Sequence, residues 1–226
     1  MSDGKTGKTR AEFIEFIVVI LLGITAVATA WSAWQGGLHG SQMDQKYTKS
    51  NNLASEGNSE YNAGIQTLTQ DMMLYNEINS LMIDQLFAES KGDKDELEKI
   101  EWKIDELVSG NMSAELGEAF DWAMAETERI GGSVSPFDKE GFVESYFETA
   151  NELLAASEEM LEAGNANNTH GDNQGLVSVI YAVVLFLLGI SSSFNGLREK
   201  YILLVVSCVG FVGATVFMLT IPIVLP

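Results

Sequence analysis

Apolar residues concentrate in three runs, 13–34, 176–194 and 201–226, and one long polar segment lies between the first two. A helix needs ~20 apolar residues to cross ~30 Å of hydrocarbon. Residues 176–194 carry no charge in 19 positions and residues 201–222 none in 22. Only the turn Asn195-Gly196-Leu197-Arg198-Glu199-Lys200 separates them. This pattern predicts a membrane hairpin. The first run follows Lys5, Lys8 and Arg10, and its Ala28-Thr29-Ala30 matches the small-x-small cleavage pattern of a signal peptide. Its apolar stretch, however, is longer than a signal core. Trp31 and Trp34 also stand three apart on one helix face, where an interfacial aromatic belt belongs. The expectation is a retained span, with a glycine-rich joint at Gly36-Gly37 and Gly40 beyond it.

Basic residues stay on the cytoplasmic side. Lys5, Lys8 and Arg10 at one end, and Arg198 and Lys200 in the hairpin turn, independently predict one arrangement. Residues 1–12 are cytoplasmic, 13–34 span, 35–174 are extracytoplasmic, 175–195 span, 196–200 turn inside, and 201–226 span outward. The expected fold is therefore an all-α cell-membrane protein with three transmembrane helices. A long helical stalk or bundle is expected between helices 1 and 2.

Within the polar segment, Tyr47, Ala54, Tyr61, Leu68, Tyr75 and Met82 recur every seventh residue. A second register contains Asn51, Asn58, Ile65, Met72, Asn79 and Leu86. Paired stripes of this kind predict a coiled-coil seam, with its asparagines setting register. At 1.5 Å per residue, a helix of this length would project roughly 65–70 Å. Gly92-Asp93 should end it and cap a short helix closed near Gly110, and Ser113 should start another that Gly131-Gly132 stops. The stretch 133–138 reads as a turn. Val143, Tyr146, Ala150, Leu153, Ser157 and Met160 line a returning helix. No window reads as a strand.

The whole chain carries a formal charge of −19. Residues 35–174 hold 28 acids against 8 bases, a net of −20, so the acidity belongs to that segment. Such a surface solvates itself or attracts cations, and it offers nucleic acid no basic patch. Cys208, the single cysteine, excludes a disulfide framework and a thiolate metal site.

The stretch AWSAWQGGLHGSQMDQKYTKSNNLASEG resembles the first conserved region of an uncharacterised group of prokaryotic three-span membrane proteins. Ser135-Pro136-Phe137 is similar to that group's Pro-Phe turn before its returning helix. Ala166-Asn167 and Gly171-Asp172, followed by LFLLGISSSF, are similar to its second membrane segment. The resemblance covers both ends and one turn, in order, and leaves 93–130 without a counterpart. It implies topology and no reaction.

Candidate chemistry is sparse. His39 lies just beyond the first span and His170 just before the second, with Asp44 and Asp172 nearby. Two imidazoles and a carboxylate suit Zn²⁺ or a similar divalent ion, although no HExxH-type spacing accompanies them. No other cofactor is expected. Asn165, Asn167, Asn168, Thr169, Asn173 and Gln174 form a polar run suited to a juxtamembrane collar bonding to Gln35 and Gln42. Asn111-Met112-Ser113 and Asn167-Asn168-Thr169 match the glycosylation sequon. Thr25, Thr29, Ser32 and Gly36 share one stripe of the first helix, as packing residues or a pore lining. Gly210 and Gly213 suit close packing of the third. No phosphate-binding loop or nucleophile elbow occurs, so a non-enzyme is expected. The expectation is a homo-oligomeric assembly, sensing or envelope-contact protein whose partners are the lipid bilayer and copies of itself. An oligomeric cation channel is the alternative.

Overall fold

The computed structural model describes the backbone of residues 3–194 and 196–225, and the side chains of these from residue 12 onward. Lys5, Lys8 and Arg10, on which the inward N-terminus rests, therefore lie outside the described side chains, as does Asn195. Among the described residues the chain is helical, without a strand. Six helices follow in order: α1 (Asp3–Lys91), α2 (Lys94–Asn111), α3 (Ala114–Ile130), α4 (Phe142–Ser145), α5 (Glu148–Ser191) and α6 (Leu197–Leu219). A 3₁₀ turn, Pro136–Asp138, precedes α4. Three helices, α1, α5 and α6, contain stretches long and apolar enough to cross a membrane.

The ends of the short helices follow local chemistry. Asp93 caps α2 by accepting from the Glu96 N–H, and Ser113 caps α3 by accepting from that of Leu116. Gly131, at φ 69°, ends α3 in the left-handed conformation that glycine adopts without a Cβ penalty. The expected glycine joint is absent. Gly36, Gly37 and Gly40 lie inside α1, which runs unbroken for 89 residues. A Cβ added to Gly36 would lie 3.5 Å from Gln174 Cβ and 3.6 Å from the Gly171 carbonyl. That glycine is used for close helix approach and not for a bend.

The chain divides into two compact units: residues 1–49 with 159–226, and residues 50–158. In the first, parts of α1, α5 and α6 pack as a three-helix bundle. Val18, Val184, Leu188 and Leu204 form one buried cluster, which Cys208 joins as a packing residue. Val177, Tyr181, Ala214 and Ile221 form a second. Gly210 lets α6 come close to Val184, whereas Gly213 faces open space. The opposite faces, including Phe16, Val27, Phe186 and Leu219, are exposed apolar surfaces.

The second unit has its core at Leu74, Ile78, Leu116, Ala119 and Phe142. Its buried line along α1 is not the expected seam. Ser50, Gly57, Gly64, Asp71 and Ile78 are buried at seven-residue spacing, three positions after the tyrosine register. Tyr47, Ala54, Leu68 and Tyr75 flank that line half-buried, while Tyr61 and Met82 are exposed. Asn51, Asn58, Ile65, Met72, Asn79 and Leu86 are exposed throughout. The reason is steric. Gly57 accepts Leu153 and Leu154 at 3.0–3.2 Å from where a Cβ would stand, and Gly64 sits directly against the Tyr146 carbonyl. Glycine admits a neighbouring helix where a larger residue would hold it off.

Candidate functional site

One face of α1 carries polar residues through the span and past its end. Thr25, Ser32, Gln35 and His39 are each at most 1% exposed. Spacings of seven, ten and fourteen residues bring them to one side at 3.6 residues per turn. Thr29 instead turns its hydroxyl back onto the Thr25 carbonyl.

These side chains meet two other segments of the same unit. Ser32 Oγ lies 2.8 Å from both the carbonyl and Oε1 of Gln174 on α5, to either of which its proton can go. Gln35 Nε2 donates to the Val224 carbonyl at 3.1 Å, and its Oε1 accepts from the Val224 N–H at 3.0 Å. His39 Nδ1 lies 3.2 Å from Asn167 Oδ1, and Nε2 lies 3.0 Å from the Pro222 carbonyl. The His170 ring is 5.3 Å from that of His39, centre to centre. About two turns further along α1, Tyr47 donates to Asn165 Oδ1 at 2.7 Å, and its ring covers Gly164.

The C-terminal segment is there because α6 cannot continue. Pro222 lacks an N–H and disfavours helix in the residue before it, so the helix ends at Leu219. The backbone groups beyond it need partners. Gln35 supplies a donor and an acceptor from one amide, an arrangement that matches a peptide group in extended chain. His39 takes a third group. A neutral imidazole has one N–H for the two oxygens it faces, so each tautomer satisfies one, and an imidazolium would satisfy both. Asn167 Nδ2 donates to the Ala163 carbonyl, which directs its oxygen at His39.

The expected collar thus exists with different pairings. Asn167 and Gln174 reach α1, but they meet His39 and Ser32, and Gln35 serves the C-terminal segment. Asn167 is buried and bonded in mid-helix, unsuited to carry a glycan, whereas Asn111 is exposed. The candidate metal set is only half assembled. His39 and His170 come together, but Asp44 and Asp172 are exposed. Among the described residues no three His, Cys, Asp or Glu side chains converge on one point. The helical period explains this: Asp44 lies five residues after His39, about 140° around the helix.

A second polar node lies in the other unit, around the buried carboxylate of Asp71. Tyr146 donates its hydroxyl at 2.6 Å, and Ser113 donates its hydroxyl and, at 3.4 Å, its N–H. Burial first, and then the bond to Asp71, pushes the Tyr146 phenol well above its ordinary value. The sequence carried no clear signal for this node, since one acid among so many does not stand out.

No protein-family model matches the chain, nor does any curated protein or solved structure.

Proposed function

We propose that this chain is a non-enzymatic membrane protein that assembles with copies of itself. Its acidic helical segment, residues 35–174, serves assembly, sensing or contacts outside the cell membrane. The N-terminus is inside, and the C-terminus is outside. The observation that carries the reading is a free stripe on α1. Ile65, Met72, Asn79, Ile83 and Leu86 are exposed on one side of the helix. Glu60, Asp71, Glu77, Asp84 and Glu89 all fall outside that side by the 100° step of the helix. In a segment so rich in acids, an uncharged stripe is where two copies can meet without repulsion. Asn79 within it favours one register.

The cation-channel alternative draws less support. Thr25 and Ser32 are buried within a single chain, where they serve packing and the collar. Mass photometry in mild detergent tests the proposal. It expects more than one copy per particle, and Ile83→Glu with Leu86→Glu should reduce that to one while helicity is kept. A monomeric wild type overturns it. For the orientation, Cys208→Ser with Ser55→Cys should react with a membrane-impermeant maleimide on intact cells. Labelling only after lysis reverses the topology.

A further inference from the structure

A cleft of about 270 Å³ opens beside the span bundle, between the start of the apolar run of α1 and the end of α5. Its walls are Ile14, Val18, Val19 and Leu22 from α1, with Leu188 and Gly189 from α5; Ser191 and Ser192 also line it, their hydroxyls donating to the Leu188 and Gly189 carbonyls. Val19 and Gly189 are exposed, so the cleft faces outward from the bundle. At one end stand Glu15 and Lys200, whose charged groups meet at 2.6 Å. The lysine side chain is only 10% exposed, whereas that of the glutamate is 54% exposed. At Gly189 an added Cβ would meet nothing within 4 Å.

Mostly apolar walls give water few partners, and an empty slot forfeits dispersion contacts. Beside a span, the available filling is an acyl chain. The charged end lies where the apolar runs begin, at the height where lysines reach for headgroups. Lys200 has three N–H donors and gives one to Glu15, which leaves two for phosphate oxygens. The exposed carboxylate beside it opposes a headgroup of net negative charge and accepts from a cationic one.

We propose that this cleft binds one phospholipid whose headgroup carries both a phosphate and a primary ammonium. The acyl chain lies along Gly189, the phosphate meets Lys200, and the ammonium meets Glu15. The site depends on the chain being in a membrane and on neither its orientation nor its copy number, so a monomeric or inverted protein leaves it standing.

Native mass spectrometry of the full chain in detergent, titrated with defined lipids, tests it. One phosphatidylethanolamine per chain should bind more tightly than phosphatidylglycerol or phosphatidylcholine, and inorganic phosphate should not compete. Gly189→Leu fills the slot and should weaken binding about tenfold, the equivalent of roughly two buried methylenes. Gly213→Leu, on open surface of α6, should bind as the wild type does. Lys200→Gln should weaken binding by about tenfold or more through the lost charge-assisted bond. Equal binding of phosphatidylglycerol, or wild-type affinity in a folded Gly189→Leu variant, overturns the proposal.

Discussion

Gln35 holds Val224 by both ends of its side-chain amide, donating to the carbonyl at 3.1 Å and accepting from the N–H at 3.0 Å. The glutamine is fully buried and 189 residues away in sequence. Replacing it with leucine leaves two backbone groups without partners. Each costs about 1–3 kcal/mol if it stays buried, so the segment should detach and solvate. Gln35→Leu is expected to lower the melting temperature and to abolish hydrogen-exchange protection at the Val224 amide. Protection that survives the substitution would mean that Gln35 is not what holds the segment.

The two kinds of helical glycine should answer to alanine with opposite signs. Gly64 rests against the Tyr146 carbonyl, a backbone atom that cannot rotate away. Gly64→Ala should destabilise by about 1–3 kcal/mol, as overpacking does. Gly37 has nothing within 4 Å of a new Cβ, and Gly37→Ala should stabilise by about 0.5–1 kcal/mol through backbone entropy. Denaturant midpoints followed by circular dichroism distinguish the two. Equal effects would refute the seam at Gly57 and Gly64.

Tyr146 gives the second unit a pH dependence of definite sign. Its phenol is raised by burial and by Asp71, so the folded state keeps a proton that the unfolded chain releases near pH 10. The resulting stability is fully present below pH 10 and is lost as pH rises through the folded value. Thermal melts between pH 9 and about 12 should fall more steeply for the wild type than for Tyr146→Phe. Parallel curves would show that the hydroxyl's protonation does not contribute. Asp71→Asn should also be destabilising, since Ser113 and Tyr146 lose a charged acceptor worth about 1.5–3 kcal/mol per bond.

Tyr61 stacks on Phe147 with ring centres 4.8 Å apart although it is partly exposed. Tyr61→Asp removes an aromatic pair worth about 1 kcal/mol and adds a charge to an already acidic unit. A lower melting temperature is the expected outcome. Tyr61→Phe, which keeps the ring, should match the wild type.

The collar shows how far residue patterns reach. The polar run at 165–174 marked a contact between α1 and α5, and Gln174 and Asn167 make it. The partners were illegible, because hydrogen bonding between Ser32 and Gln174 depends on the rotation of two helices about their axes. Asp44 stays apart from His39 for the same reason: closeness in sequence put it near His39 along the chain and on another side of the helix.

Three long apolar runs, the capping residues Asp93 and Ser113 and the stop at Gly131 act within a few residues of themselves, and the amino-acid order alone determined them. Only the tertiary structure decided that the buried line of α1 runs through Gly57 and Gly64 and leaves the second heptad register free. A hydrophobic pattern does not register glycine, whose contribution is the space it leaves for another helix. Nor could the order of residues couple Pro222 to His39, 183 positions away. That pairing exists because a proline ends α6, and the freed backbone takes the nearest buried donors and acceptors.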